Sequence, residues 1–241
     1  MLPALLSGPM IASSALALTL ATVVFFSDQS ETSTMTKIPI SKGDPSSYAN
    51  TDVFVQKHLQ LDWSVNFESK TISGSAELSV EPNPDRTADA DASRLILDSR
   101  DLNVSSAKLK SDGTELTFFV GEAHPAFGAP LVVEIPASAR QPAFVVVIEY
   151  STTPACSALQ WLQPQLTAGK EKPYLFSQCQ AIHARSLVPV QDSPAVKITY
   201  HAQVRAPRGL VVLMSAVRDE VRNTNSKRRA VFWEGEQEEE E

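Results

Sequence analysis

The chain has 241 residues, 43% of them hydrophobic, with 9 glycines and 16 prolines, a composition that fits one sizeable globular domain with tails and excludes a fibrous or repeat protein. The net charge of −7 identifies no partner, because six glutamates lie in the segment 234–241 and the remaining 233 residues carry a net charge of −1. The sequence contains no stripe of basic residues of the kind that indicates nucleic-acid binding.

The first 49 residues are predicted to be an apolar segment and linker outside the fold. Residues 10–26 form an apolar run rich in small residues, and the first lysine is Lys37. The run is short for a membrane span, long for the hydrophobic region of a signal peptide, and lacks the basic residues that precede one. Met35 offers an alternative start. The sequence therefore leaves two alternatives open, a cytoplasmic protein with an upstream extension and a secretory or membrane-anchored protein.

The first structural signal is a period-two alternation that predicts a long β-hairpin. One face of the first strand carries Leu59, Leu61, Trp63, Val65 and Phe67. A polar turn at 68–70 follows, and the alternation then continues from Ile72 to Val80 with Gly74 at one inward position. Alternation of this kind indicates a half-buried strand. A glycine at an inward position indicates that another part of the chain packs closely against it.

Short apolar segments bounded by Pro, Asp, Asn or Gly predict the remaining strands. They lie at 94–97, 116–120, 131–135, 143–150, 196–204 and 210–214. Strands at this spacing favour an all-β fold, a two-sheet β-sandwich or a close relative of one. We expect the folded domain to cover residues 50–219. The charged segment 220–241 is expected to form a solvated tail.

No motif in the chain predicts a catalytic centre. The four histidines lack the HExxH spacing of a zinc hydrolase, and neither Cys156 nor Cys179 lies in a CxxC pattern. Cys179 precedes His183 by four residues, which in a strand would place the two about 13 Å apart. We therefore predict no catalytic pair, and expect Cys179 to be a small buried residue.

Three segments carry a resemblance to a known family. SALQWL (157–162), GKEKPYLFSQCQAIHARSLVPVQDSPAVKITYHAQV (169–204) and LVVLMSAVRD (210–219) resemble the N-terminal domain of the leukotriene A4 hydrolase and aminopeptidase B family. These enzymes are zinc aminopeptidases of the HExxH…E class. The similarity extends upstream through HLQLDWSVNFESKTISGSAELSV and so covers about residues 50–219.

The resemblance implies a fold and a substrate-contacting segment. The family's N-terminal domain is a saddle-like all-β arrangement of sheets packed against the catalytic domain. Its QCQA segment reaches the edge of the active-site cleft and contacts the N-terminal portion of a bound peptide. By position, this implies that Gln178, Cys179, Gln180 and Ala181 bind substrate, with Gln180 the strongest candidate. A glutamine suits that role, since its carboxamide is both donor and acceptor.

The sequence departs from the family by what it does not contain. The GxMEN segment, the HExxH helix, the distal zinc-binding glutamate and the catalytic tyrosine are all absent. No metal ligand or cofactor is therefore expected in this chain, and zinc is implied only for the full-length family enzyme. The implied partners are a peptide with a free N-terminus and a catalytic domain in cis or in trans. Residues 231–233 resemble the remnant of a further family strand.

Two interpretations of function follow. In the first, the chain is the N-terminal β-domain of an aminopeptidase, or of an epoxide hydrolase of the same family, and has no hydrolase activity alone. In the second, it is a non-catalytic peptide- or protein-binding β-module. Either way, a face that a large partner normally covers exposes apolar area when the domain is alone, so self-association is expected.

Overall fold

A computed structural model describes residues 37–86, 92–140, 143–222 and 228–235, with backbone only from residue 219 onward. The strands of this part of the chain are β1 (Phe54–Asn66), β2 (Thr71–Pro82), β3 (Arg94–Ser99), β4 (Leu102–Leu109), β5 (Phe118–Val120), β6 (Ala129–Glu134), β7 (Phe144–Thr152), β8 (Leu159–Leu162), β9 (Tyr174–Ser177), β10 (Thr199–Pro207), β11 (Val217–Arg222) and β12 (Arg228–Gly235). The helical elements in the same residues are 3₁₀ turns at Ala137–Ala139, Pro164–Leu166 and Ala184–Ser186.

Seven strands form the main sheet, in the order β11-β12-β10-β1-β2-β7-β4. Most neighbours are antiparallel, but β1 and β10 pair in parallel, with His58 opposite Thr199 and Leu61 opposite Ala202. Strands β3, β6 and β5 form a second sheet, and β8 and β9 form a separate hairpin. The all-β prediction is confirmed, with three sheets rather than two among the described residues.

The hairpin of β1 and β2 forms where the alternation predicts it. Leu59, Leu61 and Trp63 are buried on one face of β1, while the residues between them are half-buried or exposed. The inward position of Gly74 is also confirmed. Its φ is +149°, and a Cβ added there would lie 1.8 Å from the carbonyl oxygen of Asp62 on β1. Only glycine therefore allows β2 to approach β1 this closely.

The main core lies between the seven-stranded and three-stranded sheets. It joins β1, β2 and β7 side chains to Leu95, Leu97, Leu131 and Val133 of the second sheet. The opposite face of the second sheet is covered by the segment before β1, where Ile38 and Tyr48 pack on Val132 of β6. Both faces of the second sheet are thus buried.

The structure differs from the sequence prediction in two strands, one predicted strand that does not form and one observed strand that was not predicted. Residues 210–214 were predicted as a strand but pair with no other strand among the described residues, and the next strand starts at Val217. The alternation of buried and exposed apolar residues there comes from packing on the core and not from pairing with another strand. Val212 and Met214 pack on the core, while Val211 and Leu213 are exposed. Strand β4 was not predicted, since its serines and lysine interrupt the apolar pattern.

The segment predicted as a tail overlaps the main sheet. Strand β12 lies within residues 220–241 and pairs with β10, with Val231 opposite Val204. The apolar residues 231–233, which resemble a family strand, lie in this element. The apolar run at 10–26 lies outside the described residues. Within the described ranges, no helix has the length and apolar character that crossing a membrane requires.

Candidate functional site

The four residues implied as substrate contacts form an irregular turn that directly follows β9. Gln178, Gln180 and Ala181 are exposed and Cys179 is half-buried. The turn starts where the β8–β9 hairpin ends, because the Gln178 amide donates to the carbonyl of Ala158 just before β8, at 2.8 Å. The peptide bond between Gln180 and Ala181 is cis. The structure therefore brings all four residues into one exposed turn.

Hydrogen bonds within the segment hold the turn against the start of β8. The amide of His183 donates to the carbonyl of Cys179 at 2.8 Å. The Ser157 hydroxyl lies 2.7 Å from Nδ1 of His183. The Ser186 hydroxyl donates to the carbonyl of His183 at 2.7 Å and accepts from the amide of Ala158 at 3.0 Å. These bonds position the turn from both of its ends.

Arg185 anchors the same segment to the rest of the fold. Its side chain is fully buried, and its guanidinium donates to Asp192 and to the carbonyls of Ser46 and Phe127 at 2.8–2.9 Å. Asp98 of β3, also fully buried, lies 3.5 Å from the guanidinium. A buried guanidinium is tolerated only when several acceptors satisfy it. Arg185 thus fixes the turn relative to three separate segments.

Asp98 is the acidic centre of this anchor. It accepts from the Ser47 hydroxyl at 2.6 Å and from the amides of Tyr48 and Asp192 at 2.7 and 3.1 Å. Burial raises the pKa of the Asp98 carboxyl above its ordinary value, and the Ser47 hydrogen bond and the Arg185 charge oppose that rise. Sequence reasoning missed Arg185 and Asp98. Only the charges within apolar stretches, as in LILDS and IHARSLV, could have indicated them.

The structure describes the surroundings of Cys179 and His183, for which the sequence predicts no catalytic pair. The prediction used strand geometry, which is wrong here, because the segment turns and the backbones of the two residues are hydrogen-bonded. Burial raises the pKa of the Cys179 thiol to about 11, with smaller contributions from the charges of Asp192 and Cys156. A reactive cysteine requires a lowered pKa. The Cys179 thiol is therefore a poor nucleophile at neutral pH.

The Gln180 side chain has the properties of an orienting group. Its backbone amide donates to the Gln178 carboxamide oxygen at 3.0 Å, which fixes the two glutamines relative to each other. Among the described residues, the Gln180 carboxamide has no hydrogen-bond partner of its own. An exposed carboxamide offers donors and an acceptor without taking part in proton transfer. The turn can therefore orient an amine, an amide or a carboxylate.

The described residues do not fit a catalytic zinc site. Such sites use three protein ligands and an open position. In the described ranges, no group of three or more His, Cys, Asp and Glu side chains is placed to hold a metal ion. Cys156 and Cys179 are both free thiols, and Cys156 is buried, where its thiol donates to the carbonyl of Ser186 at 3.0 Å.

Sequence comparison identifies the family of this fold. The profile of the peptidase M1 N-terminal domain matches residues 46–238. Leukotriene A-4 hydrolase of Xenopus laevis is 43% identical over 191 residues, covering 78% of this chain and 30% of that protein. Leucine aminopeptidase 2 of Phaeosphaeria nodorum is 39% identical over 175 residues, covering 72% of this chain and 27% of that protein. The chain spans less than a third of the length of these relatives.

Solved structures give the same result. Native leukotriene A4 hydrolase from Saccharomyces cerevisiae superposes with a TM-score of 0.69 at 34% identity, covering 80% of this chain and 28% of that one. An M1 zinc metallopeptidase from Deinococcus radiodurans superposes with a TM-score of 0.56 at 17% identity, covering 76% of this chain and 39% of that one. The second similarity concerns the fold alone.

Proposed function

Because the chain belongs to the M1 peptidase family through its N-terminal domain, we propose that it is the substrate-contacting β-domain of a zinc aminopeptidase. In this proposal, the turn 178–181 binds the N-terminal portion of a peptide whose bond is cleaved by a catalytic domain in cis or in trans. The observation that carries the proposal is the exposed Gln178–Gln180 pair, anchored through Ser186 and Arg185.

The proposed substrate is a peptide with a free N-terminus. A relative 39% identical to this chain is named leucine aminopeptidase 2, which supports removal of N-terminal residues as the reaction. In a binding cleft, a few polar groups fix the ligand's orientation and apolar contacts supply much of the affinity. Gln178 and Gln180 provide the polar groups. Tyr174 and Phe176 of β9, whose ring centroids lie 5.8 Å apart, expose aromatic surface beside them.

The zinc of the family enzymes enters this proposal only through a catalytic domain. The described residues do not fit a catalytic zinc site, so the chain alone is expected to show no aminopeptidase or epoxide hydrolase activity. In this proposal, the residues of this chain bind and orient the peptide.

Two free cysteines support a cytoplasmic location, because stable disulfides are typical of oxidising compartments.

An exposed apolar stripe supports a large partner for this domain. Val211 and Leu213 alternate along an extended segment and Val217 starts β11 after a bend at 215–216, and 69–79% of the surface of each of the three residues is exposed. Relatives are more than three times as long as the matched region. We propose that a catalytic domain of the family type covers this stripe.

The test replaces the N-terminal domain of yeast leukotriene A4 hydrolase with residues 46–238 of this chain. In an active chimera, Gln180→Ala is expected to lower kcat/KM for dipeptide and tripeptide substrates by about ten- to a hundredfold, since a buried polar contact to the substrate is lost. Gln60→Ala, which removes an exposed carboxamide on the main sheet, is the matched control and should leave kcat/KM unchanged. Equal kinetics for the two variants would exclude substrate contact by Gln180.

A further inference from the structure

Strand β9 has a neighbouring strand on one side only. In the described part of the chain, its sheet contains β8 and no other strand. The amide of Gln178 continues this ladder by donating to the carbonyl just before β8 at 2.8 Å. Hydrogen-bonded residues alternate along an antiparallel ladder. Tyr174 and Phe176 therefore direct their backbone groups to β8, while Leu175 and Ser177 direct theirs to the other edge.

The outward backbone groups of β9 are available for pairing. Within the described ranges, the outward N–H and C=O groups of Leu175 and Ser177 have no hydrogen-bond partner. Ser177 is exposed, and the half-buried side chain of Leu175 packs on the main core. That contact holds the strand in place while its edge remains open. An edge strand of this kind is a template for another extended chain.

The two ends of β9 lead to two different features. The turn 178–181 directly follows the C-terminal end of the strand. At the other end, a surface cavity of about 570 Å³ is lined by Leu162, Tyr174 and the loop residues 166–169 and 171–173. Cavities of this size accept small ligands and peptide side chains. The strand between these features is about 13 Å long, so an extended peptide of about five residues would span it.

We propose that the edge of β9 binds the first five residues of a peptide as an added antiparallel strand. This inference rests on the proposed function, because the peptide's direction follows from placing its free N-terminus at the turn 178–181. The turn lies at the C-terminal end of β9, so the peptide runs antiparallel to it. The second and fourth residues of the peptide then exchange backbone hydrogen bonds with Ser177 and Leu175.

The exposed aromatic rings of β9 define which peptides fit. Directly opposite residues of a ladder lie on the same face of the sheet. The third residue of the peptide therefore lies beside Phe176 and the fifth beside Tyr174. These aromatic residues are 40% and 54% exposed, and their ring centroids are 5.8 Å apart. The preferred substrate is thus an extended peptide of at least five residues with apolar third and fifth side chains.

The test measures binding of the hexapeptide Leu-Ala-Phe-Ala-Leu-Lys, with a fluorophore on its lysine, to the full chain by fluorescence polarisation. N-methylation of the fourth residue removes a donor that faces β9, whereas N-methylation of the third removes a donor that faces away. The first change should weaken affinity at least about tenfold and the second less than about twofold. Both methyl groups restrict the peptide backbone, so the second peptide is the matched control.

A protein variant tests the aromatic contact separately. Phe176→Ser should weaken binding of the unmodified hexapeptide about threefold, because the cross-strand pair with its third residue is lost. Val120→Ser, which removes another exposed apolar side chain, should bind as the wild type does. Circular dichroism shows whether each variant has folded.

Three results would overturn pairing at β9. They are equal affinities of the two methylated peptides, a loss confined to methylation of the third residue, and no binding of the unmodified peptide. If the peptide does not bind and Phe176→Ser makes a self-associated chain monomeric, the edge pairs with a second copy instead.

Failure of the proposed function gives a different result. An N-acetylated hexapeptide that binds equally well, with the same methylation pattern, would contradict the placement of the N-terminus at the turn and support pairing at β9. A tenfold loss of kcat/KM in the Gln180→Ala chimera, together with equal affinities of the methylated peptides, would support the proposed function and overturn the added strand.

Discussion

At the scale of single residues, the candidate turn exposes polar side chains that can bind a ligand and holds a cysteine thiol of low reactivity. Gln178 and Gln180 are exposed and fixed to each other by a hydrogen bond of 3.0 Å. Cys179, between them, points its thiol into a half-buried position where the pKa is raised to about 11. Nδ1 of His183 is hydrogen-bonded to the Ser157 hydroxyl. The sequence predicts no Cys-His catalytic pair, and these environments support the proposal that the segment binds substrate.

The first prediction concerns the Cys179 thiol. Only the thiolate reacts with iodoacetamide, so at pH 8 the native chain should alkylate at Cys179 about a hundredfold more slowly than the unfolded chain. Peptide mass spectrometry after timed quenching measures this residue separately from Cys156. Equal alkylation rates of Cys179 in the native and unfolded chains would contradict the raised pKa of this thiol.

The same thiol predicts a pH dependence of stability. Between pH 9 and 11 the native thiol keeps a proton that the unfolded thiol loses, so the free energy of unfolding should fall as pH rises through that window.

At the scale of elements, the hairpin of β1 and β2 organises the main sheet. Each strand presents alternate apolar residues to the core, and β1 in addition provides the parallel partner for β10. Such a pairing requires a long crossover connection, and here the connection contains both smaller sheets. The β8–β9 hairpin and the turn 178–181 lie within this connection. The geometry of the candidate site therefore depends on how the long crossover packs.

The second prediction tests the close approach of β1 and β2. Gly74→Ala should lower the free energy of unfolding by at least about 2 kcal/mol, because the added Cβ meets backbone rather than a flexible side chain. Ser73→Ala, an exposed neighbour on the same strand, should change stability by less than about 0.5 kcal/mol. Urea denaturation followed by circular dichroism measures both. A Gly74→Ala chain as stable as the control would show that the strands separate without cost.

At the scale of the whole molecule, the described residues combine a well-buried core with a group of exposed apolar residues on the surface. The two packed sheets bury their facing sides, and Arg185 ties the crossover, the segment before β1 and the second sheet together. Val211, Leu213 and Val217 remain exposed close together along the chain. Apolar stripes of this kind mark interaction surfaces. The domain is therefore expected to fold by itself and to associate through this stripe.

The third prediction concerns that association. The chain alone should self-associate at micromolar concentrations, and a variant with serine at Val211, Leu213 and Val217 should shift towards monomer in size-exclusion chromatography with light scattering. Serine at Ile40 and Val120, two other exposed apolar residues, is the control and should not change the distribution. A monodisperse wild-type monomer with a cooperative melt would contradict both the prediction and the assignment of the stripe as a docking surface.

The sequence alone determined the fold class, the β1–β2 hairpin, the need for Gly74 and the family, because all of these depend on local alternation or on runs of specific residues. It also implied substrate contact by the turn 178–181, through resemblance rather than through any pattern of charge or spacing, and that role stays a prediction. It did not indicate β4 or the buried anchor of Arg185 and Asp98, and it predicted a strand at 210–214 that forms no ladder. Tertiary structure decided these features, because burial and strand pairing depend on residues that are distant along the chain.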